Sequence, residues 1–373
     1  MATTFKTLTN NDVTSTRTLL HESIPLSGAI ISGTYGGSAV ALGSEPHVKN
    51  YSHGIFQSLY DYPYLSSSAN HILDVTVGYA DTSALSGSSN TQNTKKINIY
   101  NQMAQILMGY DATGSIRAFD EDGNLTGGTK INECVFINFS RLLHKDEIKK
   151  GSFQLEFGVS SSYDQGGRVF GSRIKITDYS GSDGYFVNSP AGEYGVLYAT
   201  GSAGHEVLAA NQYYKAGLIF YQAGIAVVSG AIFNDVIEGG MINNTSGTVS
   251  MSGPGSSTTA NFSAVLTGSA ISGAANQIRN RIYNLQFNNT TELNSTIYFC
   301  RANHNDFNYS SNPTYISGSK IRVKNSTSDS PVSYITTIGL YSADNELLAV
   351  AKLSEPIKKT PENELTLRVR LDY

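Results

Sequence analysis

The acidic stretch at residues 120–125, with the sequence DEDGNL, has the best spacing in the chain for a metal site. Asp120, Asp122 and Asn124 match the first ligands of a calcium-binding loop, in which alternate side-chain oxygens converge on one cation. Gly123 comes too early for the glycine of such a loop, and the bidentate glutamate that would close it is missing. The spacing therefore favours a surface turn over a calcium site.

Histidines beside acidic residues could take part in acid–base chemistry. His144 lies close to Asp146 and Glu147, but side chains at the start of a helix commonly cap it. His47 and His53 lie in a glycine-rich part of the chain, where burial or hydration explains them more simply than a site does. We therefore assign none of these histidines to catalysis.

Nucleophilic and cofactor chemistry has no recognisable pattern here. Cys134 and Cys300 lie far apart and share no metal-binding spacing with a histidine, which predicts two reduced thiols. The chain has no G-x-S-x-G elbow and no P-loop or dinucleotide fingerprint. A glycosidase needs two carboxylates that can be distant in sequence, but the chain has no Trp for a sugar platform. We predict no catalytic, cofactor-binding or metal-binding residue, and a protein that is not an enzyme.

Composition narrows the class of protein. Charged residues make up 15% of the chain and hydrophobic residues 40%, with 23 Tyr and 15 Phe, so the chain has the apolar content that disordered segments lack. The formal net charge is -4, and basic residues occur singly or in pairs, which argues against a nucleic-acid partner or a basic membrane-binding helix. Lys and Glu are depleted at the centres of interfaces, so this weakly charged surface suits a protein with many contacts.

Residues 216–233 run without a charge and approach the length of a membrane span. Glycines such as Gly217 and Gly224 interrupt the run, and its apolar residues are β-branched and aromatic, which favours two buried strands joined at Gly224. Residues 1–20 lack a basic start followed by an apolar run. We therefore expect no secretory signal, no membrane contact and synthesis in the cytoplasm.

Periodicity predicts few helices. An apolar stripe indicates a helix over 95–108, capped by Asn93 or Thr94 and ended by a left-handed Gly109. Further helical segments are predicted at 145–150 and 273–285. Strands are predicted at 71–80, 134–143, 152–159, 173–179, 194–201, 295–302, 320–325 and 364–373.

The C-terminal part of the chain predicts a β-hairpin. Its arms are 335–341 and 346–353, and the SADN turn at 342–345 joins them. The residues expected to line one face of this hairpin are Ile338, Leu340, Leu348 and Val350. In the last strand, the side chains expected to point inward are Leu365, Leu367, Val369 and Leu371.

Together these elements predict a mainly β protein with a few short helices, built from β-sandwich-like domains with antiparallel sheets and an extended N-terminal arm. We expect three domains. Residues 1–150 form the arm and a mixed α/β domain, 151–272 a β-rich middle domain, and 273–373 a C-terminal helix with an antiparallel sheet. Residues 245–263 have low complexity and are predicted to form a loop or an edge hairpin.

Tyrosine-rich stretches, such as SLYDYPYLSSS at 58–68, indicate contact surfaces. Rigid amphipathic rings surrounded by Ser, Gly and Asn suit binding to carbohydrate or to another protein. Tyrosine also fills the faces of ordinary β-sheets, and the sequence does not decide between these roles.

Several stretches resemble the virion structural proteins of T4-like tailed bacteriophages, especially those of marine cyanobacteria. They include TLTNNDVTSTRTLLHESIPLSGAIISGTYG, NIYNQMAQILMGYD, FNYSSNPTYI and YITTIGLYSADNELLAVAKLSEPIKK, and also the segment at 49–79. The final hairpin is similar to a stretch of phage tail-fibre and baseplate-associated proteins. The resemblance covers roughly the first 150 and the last 75 residues, whereas the middle of the chain matches only loosely.

The resemblance implies a non-enzymatic structural protein of a contractile-tailed phage, in the baseplate or another tail-associated ring. Its partners would be copies of itself and other virion proteins, and it would be assembled into the virion tail in the host cytoplasm. A capsid decoration or neck connector subunit is an alternative. A second alternative is a host-recognition appendage that binds or degrades a host-surface glycan.

Overall fold

The computed structural model describes residues 5–21, 47–143, 146–158, 173–202, 214–234, 262–279, 281–308, 316–317, 320–321 and 332–372. These residues form mainly β-structure, with antiparallel sheets and three α-helices. An N-terminal arm, residues 5–12, leads into the first strand. The predicted fold class is thereby confirmed.

The helices are α1 (Asn93–Leu107), α2 (Phe262–Gly268) and α3 (Ile271–Arg279), with short 3-10 helices at Asn10–Asp12, Ser140–Leu142 and Gly230–Phe233. The strands are β1 (Val13–His21), β2 (Val48–Asn50), β3 (Gln57–Tyr60), β4 (His71–Tyr79), β5 (Glu133–Asn138), β6 (Glu147–Ile148), β7 (Gln154–Gly158), β8 (Arg173–Thr177), β9 (Phe186–Ser189), β10 (Gly192–Ser202), β11 (Tyr214–Phe220), β12 (Ile225–Ser229), β13 (Ile282–Gln286), β14 (Asn289–Ala302), β15 (Ile316–Ser317), β16 (Lys320–Ile321), β17 (Ser333–Tyr341), β18 (Leu347–Lys359) and β19 (Leu365–Asp372).

The chain divides into two compact units. The terminal unit comprises Met1–Leu19 and Glu292–Tyr373, and the central unit comprises Leu20–Thr291. This division differs from the three predicted domains, because pairing between distant segments crosses their boundaries. Strand β1 shares a sheet with β14 and β19, and β5 pairs with β12. Periodicity within a segment carries no information on such long-range pairing.

An eleven-stranded sheet forms the central unit, in the order β13-β7-β8-β10-β11-β12-β5-β4-β3-β2, with β9 paired to β10. All of its pairings are antiparallel, and its central strands are rich in buried Val, Ile and Leu. Helix α1 packs on β4 so closely that a Cβ at Gly78 would lie 2.8 Å from the Lys96 carbonyl oxygen. Gly78 therefore allows the helix to approach the sheet.

The uncharged run at 216–233 forms two antiparallel strands, β11 and β12, as predicted. Gly224 has a φ of 65° at the turn between them, and a Cβ there would lie 2.7 Å from the Ser140 Cα. Only glycine tolerates both the left-handed backbone and this close approach. No helix among the described residues is both long and apolar enough to cross a membrane.

Helix α1 confirms the prediction for 95–108, and Gly109 follows it with a φ of 73°. The predicted cap is wrong, because Gln92 is the N-cap residue and makes no capping bond with its side chain. Tertiary contacts use these side chains instead. Gln92 Oε1 accepts a hydrogen bond of 2.9 Å from the Ile271 backbone N–H, and Asn93 Oδ1 accepts one of 2.8 Å from the Tyr79 hydroxyl.

Of the two other helix predictions, the one at 145–150 is wrong in its described part, and the one at 273–285 is right only as far as Arg279. The segment predicted as a helical turn at 145–150 contains strand β6, whose residues pair with the start of β14; His144 and Lys145 lie outside the described residues. Helix α3 ends at Arg279, and Ile282 and Leu285, predicted as helical, belong to β13. Apolar residues three positions apart suit a helix, but pairing with β7 decides their conformation.

The loop prediction at 245–263 lies outside the described residues up to 261, and α2 begins at Phe262. The predicted strand at 134–143 ends at Asn138 and is followed by a 3-10 helix. Of the predicted strand at 320–325, only β16 is described.

The terminal unit contains the sheet β1-β14-β19 and the hairpin β17-β18. In β19, less exposed and more exposed residues alternate strictly from Leu365, which confirms the predicted inward set. The predicted turn at 342–345 is also present, since the Asn345 backbone N–H donates to the Ser342 carbonyl oxygen at 3.1 Å.

The face predicted for the hairpin is wrong. Leu340 pairs with Ala349 and Ile338 with Ala351, whereas Val350 pairs with Gly339. Paired residues share a face of an antiparallel ladder, so Val350 lies on the opposite face from Ile338. Register across the turn, which sequence alternation does not specify, decides this arrangement.

Candidate functional site

The acidic stretch at 120–125 forms a turn whose oxygens bind within the protein. Asp120 is buried and forms an ion pair with Lys130. Asp122 Oδ1 accepts a hydrogen bond from the Asn124 N–H at 3.2 Å, and Asn124 Oδ1 accepts one from the Thr126 N–H at 2.7 Å. Across the described residues, no cluster of three His, Cys, Asp or Glu could hold a metal ion.

The remaining chemical candidates do not converge on one site. The His53 ring stacks on Tyr51 with centroids 5.1 Å apart, and His47 lies at the end of the segment leading into β2. Cys134 is buried, which raises the pKa of its thiol well above the ordinary value, and Cys300 is half-buried. His144 lies outside the described residues.

A polar cluster on β3 and β4 was not predicted from the sequence. Asp74 Oδ1 accepts hydrogen bonds from the Ser58 hydroxyl and from His71 Nε2, the latter at 2.7 Å. In a catalytic triad the histidine stands between the serine and the carboxylate, whereas here the carboxylate stands between them. His71 is therefore not placed to take the Ser58 proton. Ser58 meets Asp74 because the two residues pair across β3 and β4. This register cannot be read from the sequence.

A buried ionic cluster lies elsewhere in the central unit. The Lys150 ammonium contacts Glu147 at 2.9 Å and Glu193 at 2.6 Å. Burial by itself lowers the pKa of Lys150, but the hydrogen bonds that its ammonium donates to Glu193 and Glu147 outweigh burial and raise the pKa. Asp178 accepts backbone hydrogen bonds from Gly151 at 2.7 Å and Phe153 at 2.9 Å. Burial raises the pKa of Asp178 to about 6 in spite of these bonds.

Among the described residues, each unit also contains one fully buried lysine. Lys96 in the central unit donates to the carbonyl oxygens of Thr91 and Ser269, both at 2.7 Å, and to that of Leu266. Burial lowers the pKa of Lys96 to about 8. Helix α2 ends at Gly268, and the carbonyl oxygens at the end of a helix lack partners within it. The Lys96 ammonium donates hydrogen bonds to two carbonyl oxygens at this end, those of Leu266 and Ser269. Lys96 therefore joins α1 to α2.

In the terminal unit, Lys359 donates to the carbonyl oxygens of His304 at 3.1 Å and Thr360 at 2.8 Å, and to Asn308 Oδ1 at 3.2 Å. These bonds attach the base of the β17-β18 hairpin to the turn that follows β14. Neither buried lysine is accessible for chemistry, and both act as structural cations.

The terminal unit contains the strongest candidate for a binding surface, a groove of about 1640 Å³. One wall is the face of the β14-β19 sheet that carries Tyr298, Leu367 and Val369. Strand β17, with Ile338 and Leu340, forms another wall, and the N-terminal arm lines the groove as well. All these wall residues are half-buried, so the groove has an apolar lining that the chain covers only in part.

The N-terminal arm is held by specific contacts within the terminal unit. The centroids of the Phe5 and Tyr341 rings lie 4.6 Å apart, and Lys6 forms an ion pair with Asp306. At the end of the arm, Arg301 Nε contacts Asp12 at 2.9 Å. Hydrogen bonds from Thr9 are the main cause that lowers the pKa of Asp12. These contacts hold the arm in place along the groove of the terminal unit.

Large hydrophobic side chains are also exposed on the hairpin itself. Leu348 is 62% exposed and Val350 is 51% exposed, with Leu347, Tyr334 and Tyr341 similarly accessible. In the described part of the terminal unit, Ala302 is the only buried hydrophobic residue. A unit of this kind presents apolar surface that suits another polypeptide better than a small polar substrate.

Comparisons with protein-family models, with curated proteins and with solved structures found no match to this chain.

Proposed function

We propose that the protein is a non-enzymatic structural subunit of a contractile-tailed phage virion, in the baseplate or another tail-associated ring. It would act through assembly, with copies of itself and other virion proteins as partners, after synthesis in the host cytoplasm. The stretches that resemble T4-like virion proteins support the virion assignment. They include the arm and the hairpin, both of which line the groove.

The observation that carries the assembly role is the incomplete burial of the terminal unit. Its strands alternate apolar and polar residues, as strands with one covered face do, yet the apolar side chains stay half-exposed. Burying such a face is the main favourable term in both folding and association. A neighbouring subunit that covers it would supply the burial that the chain itself does not provide.

Two alternatives concern the place of the protein in the virion or on the host surface. A capsid decoration or neck connector would use the same surfaces with a different symmetry. A glycan-binding or glycan-degrading appendage is favoured by the exposed tyrosines Tyr62 and Tyr64. Binding of the purified protein to host envelope polysaccharide would support the appendage.

Deletion of residues 1–12 tests the assembly role. It removes Phe5, Lys6 and Asp12 while leaving strand β1 in place, and deletion of residues 1–4 is the matched control. We expect the longer deletion to abolish incorporation into phage particles, measured by mass spectrometry of purified virions, with an unchanged circular dichroism spectrum.

Normal incorporation of the longer deletion would rule out the arm as an assembly element. Absence of the full-length protein from purified particles would overturn the virion assignment itself. Cryo-electron microscopy of the intact particle would then distinguish tail, neck and capsid positions by symmetry and copy number.

A further inference from the structure

We propose that the central unit carries a carbohydrate-binding site, the Asp74 site, formed by Tyr60, Tyr64, His71 and Asp74. Its ligand would be a neutral, hydroxyl-rich sugar. This inference goes beyond the proposed assembly role, which rests on the terminal unit. It begins from the polar cluster on β3 and β4, because one oxygen of the carboxylate in that cluster has no partner.

Asp74 presents one carboxylate oxygen to solvent. The Ser58 hydroxyl and His71 Nε2 both bond to Oδ1, whereas Oδ2 makes no hydrogen bond with any described residue. The Asp74 side chain is 24% exposed, and its Oδ2 is not buried. Oδ2 is therefore a free hydrogen-bond acceptor at the surface of the central unit.

His71 and Ser58 hold this carboxylate in one orientation. His71 Nδ1 is buried and has no hydrogen-bond partner, so a proton on that nitrogen would be buried without an acceptor. The proton of the neutral ring therefore belongs on Nε2, which donates it to Asp74 Oδ1. Ser58, which is buried, supplies a second donor to the same oxygen. The carboxylate is thus preorganised, and its free oxygen has a fixed direction.

A row of aromatic rings extends from this carboxylate. The centroids of the His71 and Tyr60 rings lie 5.4 Å apart in an edge-on arrangement, and those of Tyr60 and Tyr64 lie 6.3 Å apart. Tyr64 is 37% exposed. A sugar ring presents C–H groups that pack against an aromatic face, and its hydroxyls donate to a carboxylate. The Asp74 site offers both kinds of contact.

The loop that carries Tyr64 is closed at its base. Asp61 accepts hydrogen bonds from the Asn70 backbone N–H at 2.6 Å and from the Asn70 side-chain amide at 2.8 Å. The Asp61 N–H also donates to the Asn70 carbonyl oxygen at 3.1 Å. Because the base of the loop is fixed, little conformational freedom is lost when a ligand packs on Tyr64.

The charges around the rings favour a neutral sugar over a cation or a protein. Lys49 Nζ lies 4.8 Å from the Tyr51 ring centroid, the Tyr51 hydroxyl accepts from Ser58 at 3.3 Å, and Arg141 acts electrostatically on Tyr60. A cationic ligand would meet these two positive charges. A protein partner would remove water from the carboxylate, which is costly unless a cation pairs with it. A sugar hydroxyl donates to the carboxylate without carrying a charge.

We expect binding without hydrolysis. Glycoside hydrolysis generally uses two carboxyl groups that flank the scissile bond. Within the described ranges, Asp74 is the only carboxylate bonded to Ser58 or His71, and both oxygens of Asp61 bond to Asn70. The Asp74 site therefore has one acceptor for a sugar hydroxyl and no second carboxylate in the same network.

An array of neutral and acidic oligosaccharides, probed with the purified full-length chain, tests the class of ligand. We expect binding to at least one neutral oligosaccharide, with an affinity that added salt does not change and with no shorter sugar released. Binding to none of the neutral oligosaccharides, or to acidic ones alone, would overturn the proposal.

Titration calorimetry with the neutral oligosaccharide that binds most tightly tests the residues. Asp74→Asn should weaken binding about tenfold, because the charged acceptor is lost, and Tyr64→Ala about fivefold, because the ring is lost. Asp81→Asn and Tyr110→Ala are the matched controls, since both residues are exposed in the same unit, and they should leave binding unchanged. Tyr64 is itself exposed, so its variant remains a test even if Asp74→Asn fails to fold.

Unchanged sugar binding by folded Asp74→Asn and Tyr64→Ala, or equal losses in the controls, would overturn the assignment of the site. Incorporation of the same variants into virions separates this inference from the proposed function. We expect normal incorporation, because the assembly surfaces lie in the terminal unit. Loss of incorporation with unchanged sugar binding would make this surface a protein contact instead. Failure of sugar binding with normal incorporation would overturn the site and leave the proposed function standing.

Discussion

Leu218 in the central unit and Leu367 in the terminal unit both lie on antiparallel strands, but Leu218 belongs to an uncharged apolar run and Leu367 to a strict alternation of apolar and polar residues. Leu218 is fully buried between β10 and β12, whereas Leu367 is half-buried beside the groove. The central unit closes its core from its own residues. The terminal unit has alternating strands whose apolar side chains stay half-exposed. Alternation therefore indicates which side of a strand is to be buried, but not what buries it.

The largest effect expected from this difference is on side-chain truncation. Leu218→Ala should lower the free energy of unfolding by up to about 5 kcal/mol, because it leaves a cavity in a closed core. Leu367→Ala should cost about 1 kcal/mol in dilute solution, because less apolar area is lost from burial. Urea unfolding, with hydrogen exchange to resolve each unit, measures both. Equal losses would mean that the terminal unit has a closed core of its own.

The two buried lysines, Lys96 and Lys359, allow a second comparison between the central and the terminal unit. Lys96→Met should lower the free energy of unfolding by at least about 3 kcal/mol, because three carbonyl oxygens lose a charged donor. Lys359→Met should increase hydrogen exchange at residues 303–308. The exposed neighbours provide matched controls, and Lys95→Met and Lys358→Met should change stability by no more than about 0.5 kcal/mol. A control as harmful as its buried neighbour would contradict the assigned contacts.

Asp178 in the central unit should give stability a pH dependence of opposite sign to that of Asp12, Asp306 and Asp372 in the terminal unit. The pKa of Asp178 in the central unit is raised from 3.8 to about 6. Its contribution to stability is therefore fully present below pH 3.8 and is lost as the pH rises through 6. Hydrogen bonds lower the pKa values of Asp12, Asp306 and Asp372 in the terminal unit, so their contributions are present above pH 3.8 and are lost as the pH falls.

Asp178→Asn isolates the effect in the central unit. Between pH 6 and 4, the unmodified protein should gain about 2 kcal/mol of unfolding free energy relative to this variant. Denaturant titrations of both proteins at a series of pH values measure the difference. A constant difference across this range would show that Asp178 titrates normally.

The smallest expected effect concerns the ion pair of the arm. Lys6 and Asp306 are both partly exposed, and exposed ion pairs contribute less than about 1 kcal/mol. Lys6→Met should therefore leave the melting temperature almost unchanged, and added salt should reduce the remaining difference. A larger loss of stability would indicate that the arm is part of the folding core of the terminal unit.

Much of the fold could be predicted from local patterns. The strict alternation from Leu365, the SADN turn and the glycine-broken run at 216–233 each gave the observed strands, because each pattern depends on neighbours in sequence. The helix predicted over 273–285 failed at Ile282, where pairing with β7 overrides a spacing that suits either structure. The cap of α1 failed because tertiary hydrogen bonds occupy Gln92 and Asn93.

The candidate site also combines features that the sequence determines with features that only the folded chain decides. The sequence by itself determined the SADN turn, the alternation from Leu365 and the lack of recognisable catalytic motifs, since these depend only on the order of residues. Only the tertiary structure decided which face of the hairpin carries Val350, because the register across the turn is a long-range property. It also decided that β1, β14 and β19 share one sheet beside a groove, since residues distant in sequence meet only when the chain folds.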